Sequence, residues 1–190
     1  MKKSSVRDRV IEAASYLFYQ NGYNQTGINQ IIEEAQVAKA SMYQHFRSKE
    51  DIAAVYLRQR HYNWMSALDN FVASKETGKE KIIASFDYLN EWLVDVNFIG
   101  CGFQNIITDL PDDHKKIRDE VKFHKNELLQ WIENLLLNDE SISADSAKEL
   151  STEIMVVLEG AIILSQIQKD AWPIFSGKKT CINLLTTSSI

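Results

Sequence analysis

Four histidines, His45, His61, His114 and His124, are the first side chains to weigh for chemistry. They show neither zinc-ligand spacing nor a neighbouring cysteine or acidic motif that would complete a site. Ser176-Gly177-Lys178-Lys179 fits the bare Ser-x-x-Lys pattern without any companion motif, so it reads as a polar loop or helix start. No phosphate-binding glycine loop is present. The expectation is no catalytic residue, no metal, no cofactor and no enzyme. A different chemistry is open to Lys39, Ala40 and Ser41, small or polar residues that can approach base edges from the start of a helix. Lys39 suits a guanine or a phosphate and Ala40 a thymine methyl; the residues alone do not choose between readout and positioning. Thr26 and Ser48 fall at expected helix N-termini, where free amides and the helix dipole favour phosphate.

These residues need helices to hold them. Two prolines and seven glycines in 190 residues leave few chain breakers, which predicts an all-α protein with long helices. Val6, Val10, Ala13, Ala14, Leu17 and Phe18 recur at helical spacing up to Asn21-Gly22. A short second helix carries Ile28, Ile31 and Ile32, with Thr26 expected as its N-cap. A third runs from Lys39 to about His45 with Met42 and Phe46 on its buried side, which makes a helix-turn-helix. Ser48 is expected to cap a long fourth helix, Lys49 to about Phe71. After a loop over 74–79, further helices are expected at Glu80–Phe98, Cys101–Asp109, Asp112–Leu137, Ser143–Lys169 and from Pro173 to about Thr186, broken by Pro111, Asn138-Asp139 and Trp172-Pro173.

Charge sharpens the division. The net charge of −5 disguises a first fifty residues at +2 and a remainder at −7, which fits a DNA-facing module on an acidic body. Met1-Lys2-Lys3 leads into Arg7-Asp8-Arg9 rather than an apolar stretch, and no uninterrupted apolar run approaches bilayer length, so a cytoplasmic protein without membrane contact is expected. Cys101 and Cys181 stand far apart and read as two reduced, structural thiols.

The stretch Phe18-Tyr19-Gln20-Asn21-Gly22-Tyr23, then Thr26, Ile31, Ala35, Val37 and Ser41-Met42-Tyr43-Gln44-His45-Phe46-Arg47-Ser48-Lys49-Glu50, resembles the tetracycline-repressor-like (TetR) family of bacterial transcription regulators. The resemblance implies a homodimer with an N-terminal three-helix DNA-binding domain, residues 1–50, and a larger helical domain, residues 51–190, for ligand binding and dimerisation. It implies a ligand-responsive regulator, expected to repress from a palindromic operator and to be released by a small hydrophobic or aromatic effector. It also implies that Thr26, Tyr43, His45 and Lys49 hold the DNA backbone. Three positions depart from the pattern: Gln36 stands where a turn glycine is usual, Ala38 where a capping Ser or Thr is usual, and Ala40 where Gly is common. The turn is therefore expected to be built differently. A helical binding module that no longer reads DNA is the competing reading.

In the body, Trp64, Phe86, Trp92, Cys101, Phe103, Asn105, Phe123 and Trp131 are the candidates for an effector pocket, each against the alternative of ordinary core packing. Gly100-Cys101-Gly102-Phe103-Gln104-Asn105 reads either as a helix-breaking hinge or as a pocket wall, and resembles a Gly-Cys…Asn stretch in one branch of the family. A broad apolar face near the C-terminus, with Ile154, Val157, Leu158, Ala161, Ile162, Ser165, Ile182 and Leu185, is expected to form the dimer interface.

Overall fold

A computed structural model describes residues 4–108, 110 and 113–187. Among these residues the chain forms helices and no strand: α1 (Val6–Asn21), α2 (Ile28–Glu34), α3 (Lys39–His45), α4 (Lys49–Val72), α5 (Gly78–Asp95), α6 (Gly102–Thr108), α7 (Lys115–Leu137), α8 (Ala144–Gln168) and α9 (Trp172–Thr187). The expected break at Pro111 and the expected helix ends at Asp109 and Asp112 lie outside the described residues.

Local chemistry explains most boundaries. Ser5 and Asp8 close a capping box at the start of α1, and Thr77 and Glu80 close another that starts α5 two residues before the expected Glu80. Gly22 ends α1 at φ +87°, a conformation cheap only for glycine. Ser48 accepts the Asp51 backbone N–H at 3.1 Å, and the Asp51 carboxylate reaches back past it to the Arg47 N–H, also at 3.1 Å. Pro173 sits in the first turn of α9, where its missing N–H has no partner to lose.

The chain divides into two compact units, one built from the residues up to Tyr62 with Gly102–His124, the other from Asn63–Cys101 with the residues from Lys125 onward. The unit that holds the first fifty residues thus also takes in the first half of α4, α6 and the start of α7. Its core gathers Val10, Ala14, Leu17 and Phe18 of α1, Ile31 of α2, Met42 of α3 and Ile52, Ala53, Tyr56 and Leu57 of α4.

In the other unit α8 packs on α9 and both pack on α5. Ile82, Phe86, Leu89 and Leu93 of α5, Ile154, Leu158, Ala161 and Ile162 of α8, and Ile174, Cys181 and Leu185 of α9 are buried in this core. Gly177 brings α9 close: a Cβ there would stand 3.1 Å from the Phe86 ring and 3.2 Å from the Ala161 Cβ. Among the described residues α8, Ala144–Gln168, is the one helix long and apolar enough to cross a membrane by length and composition, although Lys148, Glu149, Glu153 and Glu159 interrupt its apolar run. Its apolar residues lie on two faces, one buried in this core and one exposed.

Candidate nucleic-acid interface

Helix α3 is held by one face. Met42 is fully buried and Phe46, just past its end, nearly so, which pins the helix against the rest of its unit. The opposite face presents Lys39, Ala40, Tyr43, Gln44 and His45 to solvent, with Ser41 half-buried. Tyr43, an amphipathic side chain at 44% exposure, keeps its hydroxyl in reach of a partner molecule.

The turn before α3 carries the departures seen in the sequence. Gln36 adopts φ +52°, the left-handed conformation usually left to glycine, and Ala38 makes no side-chain cap. Arg9 of α1 braces the turn at its carbonyls: its Nη1 donates to the carbonyl oxygens of Gln36 at 3.0 Å and Ala35 at 3.3 Å. The end of α2 is thereby capped from another helix.

One expected phosphate contact is corrected, and a second side chain is engaged within the chain. Thr26 is not the N-cap of α2; Gly27 is, without a side-chain bond. Thr26 is fully buried, and its hydroxyl donates to Gly22 O at 2.8 Å with Leu17 O at 3.2 Å, because the carbonyls at the end of α1 need a donor away from water. Lys49 likewise turns inward: Nζ donates to Tyr23 O at 2.9 Å and Thr26 O at 3.1 Å and lies 4.1 Å from the centre of the Tyr23 ring. Burial pulls the Lys49 ammonium below the usual lysine range and pushes the Tyr23 phenol up to about 12.

The candidate pocket residues fall in both units. In the first, Phe103 stacks on His124 with centroids 3.8 Å apart, and Phe123 meets His61 at 4.7 Å. His61 and His124 are buried with their Nδ1 atoms 3.1 Å apart, a pair not foreseen because residues so distant in sequence carry no shared spacing. Asn105 is half-buried on α6. In the second unit Trp64 meets Trp92 edge to face at 6.2 Å, while Phe86 is taken up by packing against Gly177. Trp131 donates its indole N–H to Asp69 at 2.8 Å. Cys101 is buried with its sulfur 3.6 Å from Lys125 Nζ, which also pairs with Glu159 at 2.7 Å.

The expected dimer face needs a larger correction. Ile154, Leu158, Ala161, Ile162, Ser165 and Leu185 are buried inside their own unit, Val157 is half-buried and Ile182 alone of the eight is exposed. The apolar residues left outside are Val156, Ile163, Leu164 and Ile167 of α8 with Trp172 and Phe175 of α9. Helical periodicity finds two apolar stripes on α8, and only packing decides which of them faces the core.

Comparison with known proteins completes the assignment. Residues 10–55 match the model of bacterial regulatory proteins of the tetR family, and residues 79–179, more than half the chain, match the C-terminal domain of LmrA/YxaF-like transcriptional regulators. The chain belongs to the TetR family. This TetR-family regulator is similar to the transcriptional regulator LmrA of Bacillus subtilis, 25% identical over 92% of this chain and 93% of that one. It is also similar to IcaR of Staphylococcus epidermidis, a negative transcriptional regulator of a biofilm operon, 25% identical over 72% of this chain and 68% of IcaR. A TetR-family regulator from Streptomyces coelicolor shares the fold with a TM-score of 0.86 at 22% identity, over 98% of this chain and 91% of that one. A Streptomyces avermitilis structure does so at 0.83 and 23%, over 98% and 100%. The family and these relatives are regulators of transcription, not enzymes.

Proposed function

We propose that this TetR-family regulator is a ligand-responsive repressor that binds a palindromic operator as a homodimer. The observation that carries the reading is the exposed face of α3, Lys39, Ala40, Tyr43 and His45, on a helix whose other face is buried. Residues 1–50 serve as the reading head and residues 51–190 as the body. Acting on operator DNA makes it a protein of the bacterial cytoplasm. Repression is the sign that the name of IcaR supports.

Dimerisation is supported by the apolar surface that α8 and α9 leave in water. Val156 is 72% and Ile167 65% exposed, and Gly160 between them has open space above it. Two copies of this pair form a four-helix interface about a two-fold axis, each covering the other's stripe. Recognition helices on such a dimer enter successive major grooves about 34–36 Å apart. An effector that fits the body better at another separation shifts the population away from the DNA-competent form. The Trp64–Trp92 and Phe103–Phe123 aromatic groups, one in each unit, suit a flat or hydrophobic compound.

Selection of random duplex DNA by the purified protein, followed by a salt titration, tests the reading. A palindromic winner whose affinity falls steeply with salt is expected. No enrichment by a folded dimer would favour the helical module that no longer reads DNA.

A further inference from the structure

Tyr23 O and Thr26 O take two of the three N–H donors of the Lys49 ammonium, and further cations stand beside α3. A groove of about 480 Å³ opens where the recognition helix ends. Its floor is the buried ring of Phe46 with Val55 of α4, and its rim carries Arg7 from the first turn of α1, His45 from the end of α3 and Arg47 from the following turn. The one carboxylate in the groove, Asp51, is bonded by the ammonium of Lys116 and by the Arg47 backbone N–H. Lys116 holds the Asp51 carboxyl below the usual carboxylate range, so the two charges cancel. Arg7 and Arg47 are both exposed; among the described residues neither guanidinium forms a direct ion pair, and Arg7 acts on the neighbouring Asp8 carboxylate only through its field. Arg7 is 5.9 Å from the centre of the Phe46 ring, which steadies it over the groove without consuming its donors.

We propose that Arg7 and Arg47 clamp the operator's backbone phosphates beside the C-terminal end of the recognition helix. The inference rests on the DNA-reading assignment above. A guanidinium offers a fork of N–H donors that matches a phosphate, and backbone contact at the C-terminal end of a recognition helix is a docking geometry that helices of this kind use. Positioning contacts of this sort carry no base preference.

The experiment measures affinity against salt for the selected operator and for a scrambled duplex, using the full-length protein and its Arg7→Gln, Arg47→Gln and Arg47→Lys variants. Each Gln variant is expected to weaken both duplexes alike and to flatten the log–log salt slope of the dimer by about 1.8, about 0.9 for each of the two symmetry-related phosphates, while Arg47→Lys keeps the slope. The same base preference should emerge from selection with the Gln variants. Slopes equal to wild type in both Gln variants overturn the clamp and leave the DNA-reading assignment standing. A wild type with no salt-sensitive binding overturns both. Inorganic phosphate at constant ionic strength supplies the second arm: specific phosphate binding that Arg47→Gln abolishes, with operator affinity unchanged, assigns the groove to a free anion and overturns the clamp.

Discussion

The ammonium of Lys49 donates to the carbonyl oxygen of Thr26 at 3.1 Å, tying the first turn of α4 to the residue that precedes the cap of α2. A second bond to Tyr23 O and the Tyr23 ring complete a clasp around one charge. Both ends of α2 are thus secured by a basic side chain from another helix, Lys49 at its start and Arg9 at its end.

Replacement of Lys49 by Met removes two charge-assisted bonds, taking the Lys49 donor from Thr26 O and leaving Tyr23 O with the Thr26 N–H at 3.3 Å. The expected cost is about 1–3 kcal/mol of unfolding free energy, read as a fall of several degrees in Tm. The salt slope of operator binding should stay at its wild-type value. A slope flattened by about 1.8, about 0.9 per protomer, at unchanged Tm would instead make Lys49 a phosphate contact.

Gln36 holds a left-handed conformation that costs a side-chain-bearing residue roughly 1–2 kcal/mol, against a smaller entropic penalty for glycine. Gln36→Gly is expected to raise stability by about 0.5–1 kcal/mol in urea unfolding, with the Arg9 bonds intact. A loss of stability would mean that the Gln36 side chain contributes more than its backbone geometry costs.

The two stripes of α8 respond differently to substitution. Ile167→Glu and Val156→Glu place charges on the exposed stripe and should yield folded monomers in sedimentation, with helicity retained. Leu158→Ala empties a core position and should cost about 2–5 kcal/mol while the protein still sediments as a dimer. Dimers from both Glu variants would locate the interface elsewhere.

Asp139 follows α7 and accepts from the Ser141 hydroxyl at 2.6 Å and from Lys79 at 3.0 Å, which pull its carboxyl down to about 2. A carboxyl lowered by folding stabilises the native state above its unfolded pKa of about 3.9 and loses that contribution as pH falls through the folded value. Wild type should therefore exceed Asp139→Asn in stability by the full margin at pH 7, by less at pH 3, and by almost nothing once the pH is below about 1. An unfolding midpoint gap that is the same at pH 7 and pH 3 would show that the bonds do not act through the charge.

The residues alone determined the all-helical class, the ends of α1 and α3, and the family, because these rest on local signals: periodicity, a glycine at a positive φ, and a run of types at fixed spacing. Helix existence follows from neighbours three and four residues away, and those are written in order along the chain. Tertiary structure alone decided where the shared side chains point. Thr26 differs from a cap by one residue, and its burial depends on carbonyls of Leu17 and Gly22 that only the folded loop brings to it. Lys49 was diverted by Tyr23, 26 residues away, and Arg7 came to lie beside Arg47 through the packing of α1 on α3. On α8 both stripes are apolar, so sequence periodicity is the same for the core face and the open one; burial against α5 and α9 breaks that tie.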